Sequence, residues 1–180
     1  DVWDYLRTTS IPALLAQHPA GKMLRAWVPA CSSGEEAYSL AIVFKDALDL
    51  VKPEGRFQLQ IYGTDLDPEA IEKARKGFYP ANIATDVSRE RLSRYFVEEA
   101  GGYRIKKEIR EMLVFAPQNI ITDPPFTKLD ILCCRNLLIY FRAELQRKLL
   151  PLFHYALNRD GLLLLGSAET IGNFDRLFAP

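Results

Sequence analysis

Residues 29–36, which read PACSSGEE, combine the small residues and the acids that a ligand-binding turn needs. Small residues let a main chain approach a ligand closely, and the N-terminus of a following helix offers free N–H groups. The two acids, Glu35 and Glu36, argue against a nearby phosphate and suit a cationic group such as an amine. The same acids could equally do no more than cap the helix. Spacing alone leaves both interpretations open.

Asp65 is the other acid whose position suggests chemistry. It ends the segment Gly-Thr-Asp that follows an alternating apolar run at residues 57–62. In nucleotide-binding α/β folds, an acid at this place accepts hydrogen bonds from ribose hydroxyls, although a turn aspartate would look the same. Together the two acidic positions indicate a nucleoside ligand without phosphates. S-adenosylmethionine (AdoMet) fits that description.

The elements that must position these acids alternate along the chain. Apolar runs predict strands at residues 23–28, 57–62, 129–134 and 162–165. Helical spacing and helix-boundary residues predict helices at residues 35–48, 67–77, 88–96 and 141–158, the last kinked at Pro151. This alternation predicts a doubly wound, mostly parallel α/β sheet, in which ligands bind at the carboxyl ends of the strands.

Several local signals refine this prediction. Ser33, followed three residues later by Glu36, predicts a capping box at the start of the first of these helices. Residues 103–107 and 112–115 could pair as a small antiparallel excursion, with the glycines at 101–102 as a turn. We therefore expect one domain, residues 1–180, with a small β-subdomain at about residues 101–116.

Composition excludes some classes of function. Lys plus Arg and Asp plus Glu are both 23, so the formal net charge is zero and no nucleic-acid partner is expected. No apolar run approaches the roughly 20 residues that cross a bilayer, so no membrane insertion is expected, and the chain begins without the basic region of a signal peptide.

The cysteines and histidines indicate neither a disulfide framework nor a metal site. Cys31, Cys133 and Cys134 lie in apolar stretches without a CxxC pair, which is typical of reduced thiols in a cytoplasmic protein. His18 and His154 have no second type of ligand at metal spacing, so we expect no metal.

Three ordered segments resemble the signatures of the CheR family, whose members methylate glutamates on bacterial chemotaxis receptors. They are ACSSGEEAYS at residues 30–39, GTDLD at residues 63–67 and CRNLLIYF at residues 134–141. The similarity covers nearly the whole chain, includes residues 161–170, and is greatest to the CheR modules of CheB–CheR fusion proteins. It implies a class I AdoMet-dependent methyltransferase (Rossmann-like) fold with a small antiparallel insertion.

The resemblance also implies roles for matching residues. Those implied to bind or line the cofactor site are Glu36, Asp65, Asn119, Ile120, Asn136 and Leu137, with Asp65 at the ribose and Asn119 near the adenine. Tyr140 would face the substrate carboxylate and is the implied catalytic residue. Without the resemblance, Tyr140 would be interpreted as a half-buried core tyrosine.

Partners and departures follow from the same resemblance. It implies a cytoplasmic, monomeric enzyme acting on the cytoplasmic domain of chemotaxis receptors or on another acidic protein, and in some members the β-subdomain docks a receptor tail peptide. The family's Phe-Phe-Arg segment, its N-terminal helical domain and its final antiparallel strand are not found in this sequence. Arg7 and Arg25 do not match the arginine of that segment.

Two other functions remain open at this point. The tetrapeptide Asp123-Pro124-Pro125-Phe126 matches the DPPY/F motif of amino-directed DNA methyltransferases. It precedes the strongest predicted strand rather than following it, which favours a connecting turn. Alternatively, the domain could sense AdoMet or act as a scaffold in a multidomain signalling protein without catalysis.

Overall fold

A computed structural model describes all residues, 1–180. The strands are β1 (Met23–Pro29), β2 (Gln58–Asp65), β3 (Phe78–Pro80), β4 (Phe96–Glu99), β5 (Gly102–Ile105), β6 (Leu113–Pro117), β7 (Leu129–Cys134) and β8 (Leu157–Leu165). The α-helices are α1 (Val2–Tyr5), α2 (Ile11–Ala16), α3 (Glu35–Val51), α4 (Pro68–Lys76), α5 (Arg89–Tyr95), α6 (Lys107–Arg110) and α7 (Ala143–Ala156). A π-helical stretch (Leu6–Ser10) joins α1 to α2, and short 3-10 helices span Ala81–Thr85 and Leu138–Tyr140.

The main sheet has the strand order β6-β2-β1-β7-β8, and every neighbouring pair is parallel. Successive strands are added outward from β1 on one side and from β7 on the other. The order of the strands therefore reverses between β1 and β7, which is the switch point where open α/β sheets bind ligands. The predicted doubly wound sheet is confirmed.

The two faces of the sheet bury separate cores. Along β1, Leu24, Ala26 and Val28 pack into the larger core with α2 and α3, whereas Trp27 points into the smaller core beneath α7. All residues of β7 are buried, as expected of a parallel strand covered on both faces. This arrangement fixes both strands at the switch point from two sides.

The helix after β1 begins differently from the predicted capping box. Gly34 is the residue before α3 and has φ 95°, and no side chain caps the helix. The Ser33 hydroxyl instead donates to the carboxylate of Glu35 at 2.7 Å. The capping-box prediction is wrong, because the left-handed turn at Gly34 directs the Ser33 side chain to its neighbour rather than to the helix N–H groups.

The helix after β2 forms as its sequence predicts. The Asp67 carboxylate accepts a hydrogen bond from the Glu69 N–H at 2.9 Å, and Pro68 occupies the first turn of α4. Gly77 ends the helix with φ 60°, the left-handed conformation that glycine adopts readily. This helix follows Asp65 directly and so helps to fix the end of β2.

The small antiparallel sheet exists, but its predicted strand pairing is wrong. Its order is β3-β5-β4, whereas β6 joins the main sheet beside β2. The β-subdomain thus spans residues 78–105 rather than 101–116. Gly102 explains part of the difference, since a Cβ there would lie 2.0 Å from the Tyr79 carbonyl oxygen, so only glycine permits β3 and β5 to pair this closely.

The last helix and strand also differ slightly from the prediction. Helix α7 includes Pro151 and ends at Ala156, and β8 starts immediately after it. Asp160, with φ 61°, lies in an irregular stretch of β8, where the pairing with β7 jumps from Leu157 to Leu162.

No helix in this chain has both the length and the apolar character that a membrane crossing requires.

Candidate functional site

Two turns flank the switch point, and the candidate residues lie on or beside them. We call residues 30–34, between β1 and α3, the β1 turn, and residues 135–140, after β7, the β7 turn. In the β1 turn, Ala30, Ser32 and Gly34 all have positive φ angles, of 54°, 50° and 95°. Left-handed residues thus alternate with residues of ordinary conformation. A main chain folded this tightly is stable only when neighbouring elements form hydrogen bonds to it.

Asp65 supplies one of these bonds. Its Oδ2 atom accepts from the Ser32 N–H at 2.8 Å, and its Oδ1 atom accepts from the Asp67 N–H at 2.9 Å. A carboxylate oxygen can accept two hydrogen bonds, so each oxygen keeps one acceptor position for a ligand hydroxyl. The side chain is therefore fixed at the end of β2 while it remains able to bind a ribose.

Tyr79 holds the same turn from the small antiparallel sheet, and no sequence pattern indicated this role. Its hydroxyl donates to the Ser33 carbonyl oxygen at 2.7 Å, and its side chain is buried. Burial raises the pKa of the Tyr79 hydroxyl, which keeps it protonated and able to donate. No short-range pattern links residues 46 positions apart, so only the tertiary structure reveals this contact.

Glu36 faces β7 from the first turn of α3. Its Oε1 atom accepts from the Cys133 thiol at 3.3 Å and lies 3.5 Å from a guanidinium nitrogen of Arg135. Its side chain is only 20% exposed, and burial raises its pKa against the opposing effects of Cys133 and Arg135. The Oε2 atom has no protein partner. Glu36 therefore does not cap the helix, and it retains an acceptor for a cationic group.

Arg135 ties this acid to the N-terminal segment. Its guanidinium carbon lies 5.4 Å from the centre of the Trp3 ring, a cation–π distance. One arginine thus contacts both α1 and the Glu36 carboxylate at the switch point. The N-terminal helix is in this way part of the surroundings of the candidate site.

The β7 turn is organised around Glu169, a role that no sequence motif indicated. The carboxylate accepts four main-chain N–H groups at 2.6–2.9 Å, those of Asn136, Leu137, Leu138 and Gly166. Asn136 itself has φ 58°. The only sequence signal was that Glu169 lies in the segment 161–170 covered by the family resemblance.

Tyr140 ends the β7 turn and projects outward. Its side chain is 77% exposed, so it is not the half-buried core residue that its pattern alone suggested. It follows Leu138, which is buried in the core under α7. The β7 turn thus exposes the Tyr140 hydroxyl, while the buried side chain of Leu138 fixes the turn to the core.

Asn119 and Ile120 follow β6 on the other side of Asp65. The Gln118 N–H donates to the Asp65 carbonyl oxygen at 2.9 Å, which brings this segment next to the end of β2. The Asn119 side chain accepts from the Ile121 N–H at 2.9 Å, and Ile120 packs at the edge of the smaller core. Asn119 therefore keeps its amide NH₂ group unengaged.

The DPPF tetrapeptide serves the chain's own structure. Asp123 accepts from the Asn119 N–H at 2.7 Å, and the Pro124 carbonyl accepts from the Gln118 side chain at 2.9 Å. The Phe126 ring stacks on Tyr62 at 4.4 Å between ring centres. These contacts, all before β7, are those of a connecting turn.

The free hydrogen-bond acceptors and the apolar surface at this edge of the sheet fit AdoMet. Asp65 and Glu36 each keep a carboxylate acceptor, as the ribose hydroxyls and the ammonium group of AdoMet require. Leu66, 70% exposed directly after Asp65, and the half-exposed Ile121 offer apolar surface beside them. An adenine ring needs such surface, so the chemistry of the site and the ligand agree.

A comparison with known families decides the classification. The family description "CheR methyltransferase, SAM binding domain" matches residues 1–180. The chain belongs to the CheR methyltransferase family. This confirms both the resemblance noted from the sequence and AdoMet as the cofactor of the domain.

Individual relatives agree with this classification. The chain is 44% identical over 162 residues to an uncharacterized 104.1 kDa protein of Rhodobacter capsulatus, covering 89% of this chain and 17% of that protein. It is 36% identical over 171 residues to a chemotaxis protein methyltransferase of Listeria innocua, covering 95% of this chain and 62% of that protein. The chain thus spans less than two thirds of the length of either relative.

Solved structures support the fold. The structure of PKMT2 from Rickettsia typhi in complex with AdoHcy matches with a TM-score of 0.51 and 18% identity, over 89% of this chain and 24% of that one. Identity at this level speaks for the fold alone. It is consistent with the class I methyltransferase architecture that the parallel sheet and its switch point display.

Proposed function

We propose that the protein containing this domain transfers a methyl group from AdoMet to glutamate side chains of chemotaxis receptors and so forms glutamate methyl esters. One observation carries the proposal: the acids Glu36 and Asp65 flank the switch point, and the β7 turn that follows ends in the exposed Tyr140. The residues proposed to bind the cofactor and the residue proposed to face the substrate thus share one edge of the sheet.

The chemistry requires little from the protein besides placement. A glutamate has an ordinary pKa of about 4.3, so its carboxylate is already a nucleophile near neutral pH and needs no general base. Bound AdoMet supplies an electrophilic methyl group on a sulfonium. Correct alignment of two reactants can lower a barrier by roughly 7–11 kcal/mol, and partial removal of water adds to this.

Different side chains would bind different parts of the cofactor. Glu36 would bind the ammonium group through its free Oε2 atom, and Asp65 would bind the ribose hydroxyls. Asn119 and Ile120 would border the adenine, while Asn136 and Leu137 would line the pocket after β7. These assignments are supported by the free acceptor on each acid and by the unengaged amide of Asn119.

Tyr140 would orient the substrate carboxylate. Its exposed hydroxyl can donate a hydrogen bond to one carboxylate oxygen, which leaves the other oxygen to attack the methyl group. Because the hydroxyl donates without losing its proton, Tyr140 would position the nucleophile rather than act as a base. Substrate, cytoplasmic location and a monomeric state are parts of this proposal.

The test is methyl transfer by the full-length parent protein. We expect incubation with labelled AdoMet and a receptor cytoplasmic domain to give methyl esters that alkali releases as methanol. Tyr140→Phe should lower kcat with little change in the affinity for AdoMet, whereas Tyr155→Phe, a change at another exposed tyrosine, should have no effect. Tight AdoMet binding without transfer to any acidic protein would favour the sensing or scaffold function instead.

A further inference from the structure

We propose that Glu169 is a positioning residue that shapes the β7 turn for cofactor and substrate. This inference rests on the proposed function, because the turn carries Asn136, Leu137 and Tyr140. The carboxylate joins two separate chain segments, the turn after β7 and the end of β8 at Gly166. It thereby fixes the turn against the sheet at the switch point.

The geometry of the carboxylate shows that it acts through the main chain. Its Oε1 atom accepts from Leu137 and Leu138 at 2.8 and 2.7 Å, and its Oε2 atom from Asn136 and Gly166 at 2.9 and 2.6 Å. Four N–H groups fill the four acceptor positions of a carboxylate. Glu169 therefore has no acceptor left for a ligand, unlike Glu36 and Asp65.

The anchor also fixes the direction in which the turn leaves β7. Asn136 has φ 58°, a left-handed conformation that is uncommon for residues with a side chain, although asparagine adopts it more readily than most. Hydrogen bonds to an ionised acceptor are stronger than neutral ones, so three of them can hold the successive N–H groups of the turn while the fourth joins the turn to Gly166. Removing the carboxylate would free the turn to relax and would displace Tyr140.

Gly166 provides independent support, because it leaves the space that the carboxylate occupies. A Cβ at this position would lie 2.8 Å from Glu169 Oε2 and 2.9 Å from Asn136 Oδ1. A Cβ here would force the Glu169 or the Asn136 side chain to shift. Glycine at position 166, directly after β8, thus leaves the space in which the two side chains meet.

Glu169→Gln in the full-length parent protein tests the proposal. The amide can accept through one oxygen only, so two of the four N–H groups would face an NH₂ donor. We expect kcat/KM for methyl transfer to fall about 10- to 100-fold, with a lower kcat and a weaker affinity for AdoMet. Glu54→Gln, the same change at an exposed turn residue, should leave both unchanged.

Gly166→Ala should also displace the β7 turn, because the new Cβ would push the Glu169 carboxylate aside without removing its negative charge. We expect its kinetic profile to match that of Glu169→Gln, and Glu169→Asp, which keeps the charge, to recover part of the activity. A purely structural role would lower the melting temperature but leave kcat and AdoMet affinity of the folded protein unchanged.

Folded Glu169→Gln or Gly166→Ala protein with wild-type kcat and AdoMet affinity would overturn the inference. Its failure is distinguishable from failure of the proposed function. If wild-type protein forms no methyl esters, the function is wrong, whereas the AdoMet affinities of the variants still decide whether Glu169 positions the β7 turn.

Discussion

The two turns at the switch point are stabilised in different ways. The β1 turn is bonded to several elements, since Cys31 donates to Thr64, Ser32 donates to Asp65, and Ser33 accepts from Tyr79. In the β7 turn, three successive N–H groups instead converge on one carboxylate, that of Glu169, and the Gln146 side chain of α7 donates to the Leu138 carbonyl oxygen at 2.8 Å. The first turn should therefore tolerate the loss of any one of these bonds better than the second tolerates the loss of Glu169, which removes three bonds at once.

The largest effect on stability within the β1 turn is expected at its glycine. In Gly34→Ala, the new Cβ would lie 2.9 Å from the Ala74 Cβ, at a residue with φ 95°. Backbone strain and overpacking together should lower the free energy of unfolding by about 2–4 kcal/mol. Gly21→Ala is the matched control, because Gly21 has φ 86° and nothing within 4 Å.

Urea unfolding of the two alanine variants measures this difference. Strain alone should make Gly21→Ala less stable by about 1–2 kcal/mol, and the additional loss at Gly34 reports the contact with α4. Equal losses in the two variants would show that Gly34 is selected for its conformation only, and that the packing of the β1 turn against α4 contributes nothing.

A smaller effect is expected when one bond of the β1 turn is removed. Tyr79→Phe leaves the Ser33 carbonyl without its donor, which should lower the free energy of unfolding by about 1–2 kcal/mol. The affinity for AdoMet should fall only several-fold, since Asp65 still holds Ser32. Tyr103→Phe, in the same small sheet, is the control for loss of a hydroxyl.

If Tyr79→Phe abolished cofactor binding, the contrast between the two turns would be wrong. Calorimetric titration of both tyrosine variants with S-adenosylhomocysteine separates the outcomes. Such a result would mean that the small antiparallel sheet controls the β1 turn as strictly as Glu169 is proposed to control the β7 turn.

The Glu36 carboxylate should make stability depend on pH. Burial raises the pKa of Glu36 above its usual range, so the folded protein binds this proton more tightly than the unfolded chain does. Stability from this group is consequently lost as pH rises through the raised pKa. We expect Glu36→Gln to become more stable relative to wild type between about pH 4 and pH 7, while its AdoMet affinity falls.

Urea unfolding at several pH values measures the Glu36 effect. A stability difference between wild type and Glu36→Gln that stays constant over this range would show that the carboxylate is not disfavoured by its surroundings. In that case its burial beside Cys133 would have to be balanced fully by Arg135.

The smallest effect is expected at Ser33. Its hydroxyl bonds only to the adjacent Glu35 side chain, so Ser33→Ala should change the free energy of unfolding by less than about 0.5 kcal/mol. A true capping residue would cost about 1 kcal/mol. If urea unfolding showed a loss of about 1 kcal/mol in the free energy of unfolding, Ser33 would cap α3 after all, contrary to the structure.

Local signals predicted the elements well. The apolar run that ends at Cys134 correctly predicted a buried strand, and the boundary residues Asp67 and Gly77 correctly predicted α4. Both features depend on the types of only a few consecutive residues. The position of Asp65 at the end of β2 followed from the same short-range pattern.

The contacts that hold the turns could not be predicted in this way. Tyr79 meets Ser33 across 46 positions and Glu169 meets Asn136 across 33, and such contacts depend on how the elements pack. The strand pairing at residues 103–115 was wrong for the same reason. Sequence proximity suggested a hairpin, whereas β2 offered a parallel neighbour to β6.

The most direct test of the account is a crystal structure of the parent protein with bound S-adenosylhomocysteine. We expect ribose hydroxyls within hydrogen-bonding distance of Asp65 and the ligand amino group beside Glu36 Oε2, with the sulfur facing the side of Tyr140. A nucleoside bound elsewhere, with no contact to either carboxylate, would contradict this arrangement.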